Sequence, residues 1–523
     1  MNKNKKHDKR NQLDIILTDL QPNEVPQIYT LKNFYNYLVT NKVMKRISRD
    51  KNEDEKKFDS SWHAAPLKIF VLKDNNEYRE ISFINPLSMM EVYLYLERYE
   101  KIILNFFKKD SFSIRTHRKR DNLLFKRVNN NIIEYADQAI LQNESAGNYY
   151  DRFPYQQLDH FYKSDEWHDL NRKYKFFAKL DYSKCFDSIY THTFNWIIAS
   201  NVQEAKRLDE GHFLSATDKL LQNMNMSITN GIVVGPEFSR FLSEIIFQSV
   251  DRNIMYSLNC QGLQNGLDYE IKRYVDDFFV FVKKEENVDK IINEIAKSSN
   301  RFKLRLNYEK EEKGKLPHIW SEWINEINLF LNELEKSIFY PYSDENTYLL
   351  REQRLLPQRS VSKLKDMFQT VIVSDEKMNV KIVSYCFSFI YRKFFGCISN
   401  ESKKTIFNLA FENAVYYLYD LLFYFYSFAP TYRNTDKLIS IIYIIEDEIG
   451  FSKNKSVLYK IMKRYSFIIQ NSNLADVSNL ILLLIMYDID IGSKSEEYIL
   501  YEIRKEMNPL YYAILFLYDH FIC

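Results

Sequence analysis

Two adjacent acids, Asp276 and Asp277, sit inside an apolar, β-branched and aromatic run from Arg273 to Val282. The residues on either side read as strands, and the acid pair reads as the tight turn between them. Carboxylates held together beside buried strands are costly unless a cation neutralises them. Oxygen ligands at this density suit Mg²⁺. An Asp-Asp pair is also an ordinary turn sequence, so these acids need partners before they read as a metal site.

Candidate partners are spread along the chain. Leu67 to Ile84 predicts a β-hairpin turning at Asp74-Asn75-Asn76, with Arg79 near the start of its second strand. Asn85-Pro86 ends it, and Leu87 to Phe107 continues as a helix. Phe176 to Leu180 predicts a strand ending at Asp181, followed by a helix running past Phe194 that carries Phe186 and Asp187 near its start. An acid at the C-terminal end of a central strand is a common place for chemistry. Gly231, Gly235 and Pro236 flank Val234 and precede an apolar helix that reaches Asp251. Such a junction allows close approach of a ligand, and the helix start favours anionic groups. Val288 to Ser298 reads as a helix, and Leu304 to Lys310 as a strand ending in Lys310.

This alternation predicts an α+β palm, an antiparallel sheet backed by helices. Asp181, Asp276 and Asp277 then converge and hold two Mg²⁺ ions, which clamp the oxygens of an in-line phosphoryl displacement. Arg79 and Lys73 neutralise a triphosphate. Phe186 lies against the sugar edge and excludes a 2′-hydroxyl by bulk, and Lys310 protonates the leaving pyrophosphate. The densest basic cluster holds Arg115, Arg118, Lys119 and Arg120, followed by Lys126 and Arg127. It reads equally as a solvated loop or as a phosphate-contacting patch.

The bulk composition narrows the classes. Lys+Arg 72 against Asp+Glu 70 leaves a formal charge of +2, so nucleic-acid contact must come from local patches. With Gly 10 and Pro 11 in 523 residues, the chain should be largely helical with short connections. Five cysteines without CxxC spacing suggest neither a disulfide framework nor a zinc site. The first residues are charged and do not read as a signal peptide. The longest apolar run, Ala414 to Ala429, is interrupted by Asp420. The expectation is a cytoplasmic protein without a membrane span.

Five motifs in order resemble those of reverse transcriptases. Tyr274-Val275-Asp276-Asp277 is similar to YxDD, and Asp181 with Phe186 and Asp187 to DxxxxFDSI. Gly231 to Ser239 resembles the Gly-Pro-Ser motif before a helix, Leu304 to Lys310 resembles LxLNxxK, and Arg79 heads RxISxxNP. The Gly-Pro-Glu-Phe-Ser-Arg run, the FDSIYTHTF continuation and a long helical C-terminus resemble the bacterial abortive-infection, defence-associated group. Val234 stands where templated enzymes usually carry Gln. The resemblance implies a Mg²⁺-dependent DNA polymerase that uses dNTPs and acts against phage. It implies synthesis without a template, or on a partner noncoding RNA, primed from a tyrosine that stays attached to the DNA product. A templated enzyme of the retron or group II intron kind is the alternative, with Val234 and the lack of a maturase-like basic tail against it. A binding protein with a dead polymerase fold is a third reading, and the intact acids oppose it.

The expected organisation is a basic arm and helix over 1–60, fingers and palm over 61–315, and an all-α HEAT-like repeat domain over 316–523. Its helices are read at Ser360–Ser374, Lys381–Ile398, Lys404–Ser427, Thr435–Ile449, Val457–Ser472, Val477–Tyr487, Glu496–Met507 and Leu510–Phe521. Tyr29, Tyr35 and Tyr37 are candidate priming residues, with packing of an amphipathic helix as their other reading. The apolar helical C-terminus is a candidate homo-oligomer interface.

Overall fold

In the computed structural model, residues 7–522 are described apart from 10, 28, 45–46, 48–61, 75–76, 122, 126, 129–143, 146–147, 200–201, 210, 319–322, 342–347, 351–357, 376–377, 399–411, 450–454 and 507. Much of the expected basic arm, together with Lys126, therefore lies outside the described residues.

The expected hairpin is present as β1 (Leu67–Asp74) and β2 (Glu77–Phe83). Asn85 then caps a long helix, α1 (Pro86–Phe106), by accepting a hydrogen bond from Leu87 N, and Pro86 occupies the first turn, where its missing N–H costs nothing. The basic cluster forms β3 (Arg115–Arg120), antiparallel to β4 (Tyr150–Pro154). The short helix α2 (Asp165–Lys173) leads into the central strand β5 (Phe176–Leu180). Beyond α3 (Phe213–Met224) and α4 (Glu237–Cys260) come β6 (Tyr269–Tyr274), β7 (Asp277–Val282), α5 (Val288–Asn300) and β8 (Glu312–Lys315).

Strands β6, β7, β5 and β8 form one antiparallel sheet in that order. β7 shows why this sheet is central. Phe278, Val280 and Val282 point to one face, where α4 and α5 pack. Phe279 and Phe281 point to the other, against Phe161, Trp167 and Tyr174. A strand buried on both faces reads as a continuous apolar run rather than as alternation.

The chain between Asp181 and Phe194 is not the continuous helix expected. A single turn, Cys185–Ser188, stops at extended Ile189, and a 3-10 helix follows over Thr191–Ile197. The break has a cause in the glycine loop: Ile232 N donates to Phe186 O at 3.0 Å and Gly231 N to Ile189 O at 2.9 Å. Those carbonyls are thereby taken from a helix ladder.

C-terminal to the sheet, the described residues carry helices α6 (Trp323–Ile338), α7 (Gln358–Ser374), α8 (Asn379–Ile398), α9 (Glu412–Ser427), α10 (Tyr432–Ile449), α11 (Lys455–Tyr465), α12 (Phe467–Asn471), α13 (Leu474–Met486), α14 (Ser493–Glu506) and α15 (Pro509–Ile522). The helix expected over Val457–Ser472 is broken between Tyr465 and Phe467. Residues 404–411 of another lie outside the described residues. Helices two apart in sequence pack together, as in α8 with α10, α9 with α11, and α13 with α15. Among the described residues no helix is long and apolar enough to cross a membrane.

The hairpin does not pack where its place in the chain suggests. Ile69, Val71, Ile81 and Phe83, the inward face of β1 and β2, belong to the same buried cluster as the C-terminal helices. The sheet and α4 form a separate core.

The β8 edge of the sheet makes a sharp packing demand. Gly314 pairs with Phe177, and a Cβ at Gly314 would stand 2.7 Å from the Phe177 ring. Phe177 is buried, so its ring has little room to yield. Gly314→Ala is expected to destabilise the protein by about 1–3 kcal/mol through overpacking. A fall in the urea midpoint with unchanged slope is the measurement.

Candidate active site

The antiparallel register gathers the acids at one end of the sheet. Phe278 pairs with Leu180, so one step further Asp277 stands opposite Asp181. Tyr274 pairs with Asp277, which makes Val275-Asp276 the turn and Asp277 the first residue of β7. The two acids are therefore split between turn and strand instead of sharing the turn. Val275 has φ of 58°, a left-handed conformation that a β-branched residue adopts only when its surroundings impose it.

Arg273 imposes it. Its side chain is fully buried, and its Nη1 donates to Val275 O at 2.8 Å. Nη1 and Nη2 each reach Glu244 at 3.0 Å, while Nε and Nη2 reach Asp251 at 3.0 and 2.8 Å. Glu244 and Asp251 lie seven residues apart on α4, two turns along one face. Asp251 also accepts from Phe112 N at 3.1 Å. One guanidinium thus ties β6 and the acid turn to α4.

The carboxylates oppose one another's ionisation. Burial first, then Asp277 and Asp181, push the Asp276 carboxyl up to about 7. Burial and then Asp181 raise Asp277 to about 6, against the pull of Lys179, Lys310 and Lys381. Asp181 is raised by burial, and the Lys310 and Lys73 charges draw it back. This donor set suits a hard divalent cation, which would relieve both the repulsion and the burial cost. Among the described residues no three Asp, Glu, His or Cys side chains already stand at metal-holding spacing, so the carboxylates would have to draw together around an ion.

Leu304 to Lys310 is not a strand. Leu306 makes one antiparallel bridge to Tyr182, and Asn307 N donates to Asp181 O at 2.8 Å. The Asn307 side chain then caps Glu309 N, which turns Tyr308–Lys310 into a single 3-10 turn. That turn leaves Lys310 Nζ 4.0 Å from Asp181 Oδ2.

The glycine loop fits against both neighbours. Gly231 and Gly235 have positive φ, and a Cβ on either would come within 3.0 Å of Asp187 O or 2.9 Å of Pro22 Cβ. Val234 O accepts from Ser82 N at 2.8 Å, which joins the loop to β2. Its side chain, like that of Phe186, is half-buried. Lys73 is exposed on β1, and Arg79 Nη2 donates to Glu24 Oε1 at 3.1 Å.

The basic cluster divides. Arg115 is not a phosphate contact: it is buried and donates bidentately to Glu237 at 2.6 and 3.0 Å. Arg120 is bound to Glu100. Arg118 lies over the Phe153 ring at 3.2 Å, and Lys119 is exposed. The start of this strand, Arg115 to His117, is buried and its continuation at Arg118 and Lys119 is exposed, which a basic sequence does not announce. Among the tyrosines, Tyr29 packs on Phe83 and burial raises its hydroxyl to about 12. Tyr35 donates to Asp14 at 2.6 Å, and Tyr37 is exposed on the helix Lys32–Thr40.

Sequence reasoning missed the Arg273–Glu244–Asp251 anchor. Its signal is two acids seven apart in an otherwise apolar helix, with an arginine just before the acid turn. It also missed the buried carboxylate of Glu237, which Arg115, His117 and Arg240 all reach within 3.0 Å.

An antiparallel sheet backed by helices, with acids gathered at one end, has the form of a polymerase palm. The reverse transcriptase (RNA-dependent DNA polymerase) family profile matches residues 73–349, more than half of the chain. The chain belongs to the reverse transcriptase family, whose members are nucleotidyltransferases. No curated protein sequence matches it. Similar solved structures include telomerase from Candida albicans in complex with a TWJ fragment of telomeric RNA, at 11% identity and TM-score 0.30, covering 80% of this chain and 65% of that one. Telomerase from Candida tropicalis with the same type of fragment gives 12% identity and TM-score 0.31, covering 77% and 64%. The apo telomerase from Candida tropicalis gives 11% and 0.28, covering 92% and 73%. The chain spans less than two thirds of the first two telomerase chains.

Two outcomes follow from this geometry. Arg273→Met leaves Glu244 and Asp251 buried without the guanidinium that pairs with both, and a loss of about 3–5 kcal/mol is expected in urea unfolding. In protein freed of divalent metal, Asp276 and Asp277 have folded-state values of about 7 and about 6, above the ordinary 3.8. Their contribution is complete below that ordinary value and is lost as pH rises through about 6 and then about 7. The melting temperature should fall over this window, Asp276→Asn should flatten the fall, and Mg²⁺ should reverse it at the upper end.

Proposed function

We propose that this reverse transcriptase is a Mg²⁺-dependent DNA polymerase acting in antiphage defence, primed from one of its own tyrosines and working without a template or on a partner noncoding RNA. The observation that carries the polymerase reading is the gathering of Asp181, Asp276 and Asp277, whose raised carboxyls are balanced only in part by Lys310 and Lys73. Those three acids would hold two Mg²⁺ ions, and a bound pair supplies the clamp on the attacking and leaving oxygens of nucleotidyl transfer.

The chain's own side chains then take distinct roles. Lys73 and Arg79 bind the triphosphate of a dNTP, and Phe186 excludes a 2′-hydroxyl. Gly235 lets the backbone come close, and Lys310, beside Asp181, delivers a proton to the pyrophosphate. Arg118 and Lys119 contact phosphates of the growing strand. Val234 offers no polar side chain where a templated enzyme reads the template–nucleotide pair, which supports untemplated synthesis. Of the N-terminal tyrosines, Tyr37 suits priming best: it is exposed, whereas Tyr29 is packed and Tyr35 is bonded to Asp14. The pairing of helices two apart in sequence supports a HEAT-like C-terminal domain after fingers and palm. Their apolar surfaces are the natural place for a homo-oligomer contact. The defence role rests on the Gly-Pro-Glu-Phe-Ser-Arg and FDSIYTHTF runs, and a cytoplasmic setting follows from it.

Purified protein incubated with Mg²⁺ and each labelled dNTP, without template or primer, should incorporate label that stays with protein until protease frees it. Asp276→Asn and Asp277→Asn should each reduce incorporation by about three orders of magnitude or more, the scale of losing preorganised charge stabilisation at a reacting phosphate. Incorporation only when RNA or a primer–template is added would turn the reading to conventional RNA-templated synthesis. Activity surviving both substitutions would overturn the polymerase reading itself.

A further inference from the structure

The hairpin arginine proposed above to bind a triphosphate does not stand alone. Glu24, buried in the segment before the hairpin, accepts from Arg79 Nη2 at 3.1 Å. The same Oε1 accepts from Arg433 Nε at 3.1 Å and Nη2 at 2.9 Å. Arg433 lies in the first turn of α10, a helix of the C-terminal array. Two guanidiniums from elements more than 350 residues apart therefore meet on one carboxylate oxygen.

The charge at this point is unbalanced. One carboxylate faces two guanidiniums, and both arginines keep substantial exposure, 39% for Arg79 and 61% for Arg433. The buried Arg79 Nε has no hydrogen-bond partner. The surroundings add further cations as well as acids. One turn along α10, Lys437 Nζ donates to Ser384 O at 3.0 Å and to the hydroxyls of Ser384 and Ser388 at 2.8 and 2.6 Å, without a carboxylate in those bonds. Lys381 and Arg392 lie on α8 with the two serines, at spacings that share one face. Lys381 is also close enough to Asp277 for its charge to act on that carboxyl. The basic row therefore runs from the acid end of the sheet to Glu24.

Acids close to this seam are already engaged. Asp476 Oδ2 accepts from Leu72 N and Oδ1 from Tyr432 N, each at 2.8 Å, and Asp436 accepts from Gln27 at 3.4 Å. Asp476 and Tyr432 also hold β1 and the segment at Val25 against α10 and α13. The two arginines are thereby presented from a fixed seam, and a planar guanidinium pair is well suited to polyphosphate oxygens.

We propose that Arg433, contributed by the C-terminal helices, joins Arg79 in clasping the β- and γ-phosphates of the incoming nucleoside triphosphate, and that Glu24 is an internal stand-in that the triphosphate displaces. The assignment rests on the polymerase reading and extends it to a residue outside the fingers and palm. No bond is made or broken in this step. Glu24 releases the guanidiniums, and the phosphate oxygens accept their hydrogen bonds.

The sign of two substitutions tests it. Arg433→Ala should raise the KM for dNTP by about tenfold or more, the scale of one charge-assisted contact, with kcat little changed, and Arg433→Lys should recover part of the loss. Glu24→Gln frees both guanidiniums and should lower KM. If Arg433 serves only to dock α10 on the N-terminal segment, both substitutions break the same ion pair and should move KM and melting temperature the same way, which would overturn the proposal. An unchanged KM in Arg433→Ala, in a wild-type protein that does incorporate dNTPs, would also overturn it. A wild-type protein that incorporates no dNTP under any condition fails on the polymerase reading, and the two failures are thereby distinguished. Melting curves of all three variants identify any that do not fold, and for those the Arg433→Lys and Glu24→Gln pair decides.

Discussion

The candidate site depends on one buried guanidinium. Arg273 places a positive charge in the core, where it is tolerable only because Glu244 and Asp251 surround it with five hydrogen bonds. Its other side-chain hydrogen bond, to Val275 O, holds a β-branched residue in a left-handed turn. That turn places Asp276 next to Asp277, which stays in register on β7 opposite Asp181. A hairpin of ordinary turn chemistry, with Gly or Asn at the positive-φ position, would need no such anchor. The anchor and the strained turn are two halves of one device, and α4 contributes its acids to it.

Much of this was legible in the sequence and some was not, for physical reasons. Strand Phe176–Leu180 and the hairpin Leu67–Phe83 could be read because alternation, apolar runs and turn residues are local signals. The break after Ser188 could not, because it is made by Gly231 and Ile232, more than forty residues away, drawing off the Phe186 and Ile189 carbonyls. Leu304–Lys310 has strand-like composition, but Asn307 caps its own turn and overrides it. Arg115 reads as surface charge, and only the pairing of β3 with β4 turns it toward Glu237. The three acids were found because adjacent carboxylates inside an apolar run are rare, whereas Arg273, Glu244 and Asp251 look like ordinary charges until the helix and strand meet.

The hairpin and the C-terminal helices share a core, and this changes what those helices are for. Ile69, Val71, Ile81 and Phe83 bury their apolar surface against them, so the position of Lys73 and Arg79 is set from the C-terminal side. The backbone bond from Leu72 to Asp476 and the bond from Asn508 to Lys68 O add polar registration to that apolar contact. On the other side, Ser82 N to Val234 O ties the same hairpin to the glycine loop. The hairpin is thus held from two directions, by the palm through this backbone hydrogen bond and through Ile84, which leads from β2 into α1 and packs in the sheet core, and by the helical array through a second hydrophobic core.

This double attachment bears on the electrostatics. Asp181, Asp276 and Asp277 are under-neutralised, and five cations act on them: Lys179 on β5, Lys310 beside the sheet, Arg240 on α4, Lys73 on the hairpin and Lys381 on α8. Two of the five, Lys73 and Lys381, are carried by elements that pack in the C-terminal core. The same core carries Arg433 to Glu24. Negative charge is therefore concentrated on the palm, and part of its compensation is delivered from outside it. On the proposed function, a polyanionic substrate between them would meet cations on one side and carboxylates, through bound metal, on the other. Electrostatic complementarity of this kind would favour the occupied state, and under that proposal the C-terminal helices would share in substrate binding as well as in holding the fold.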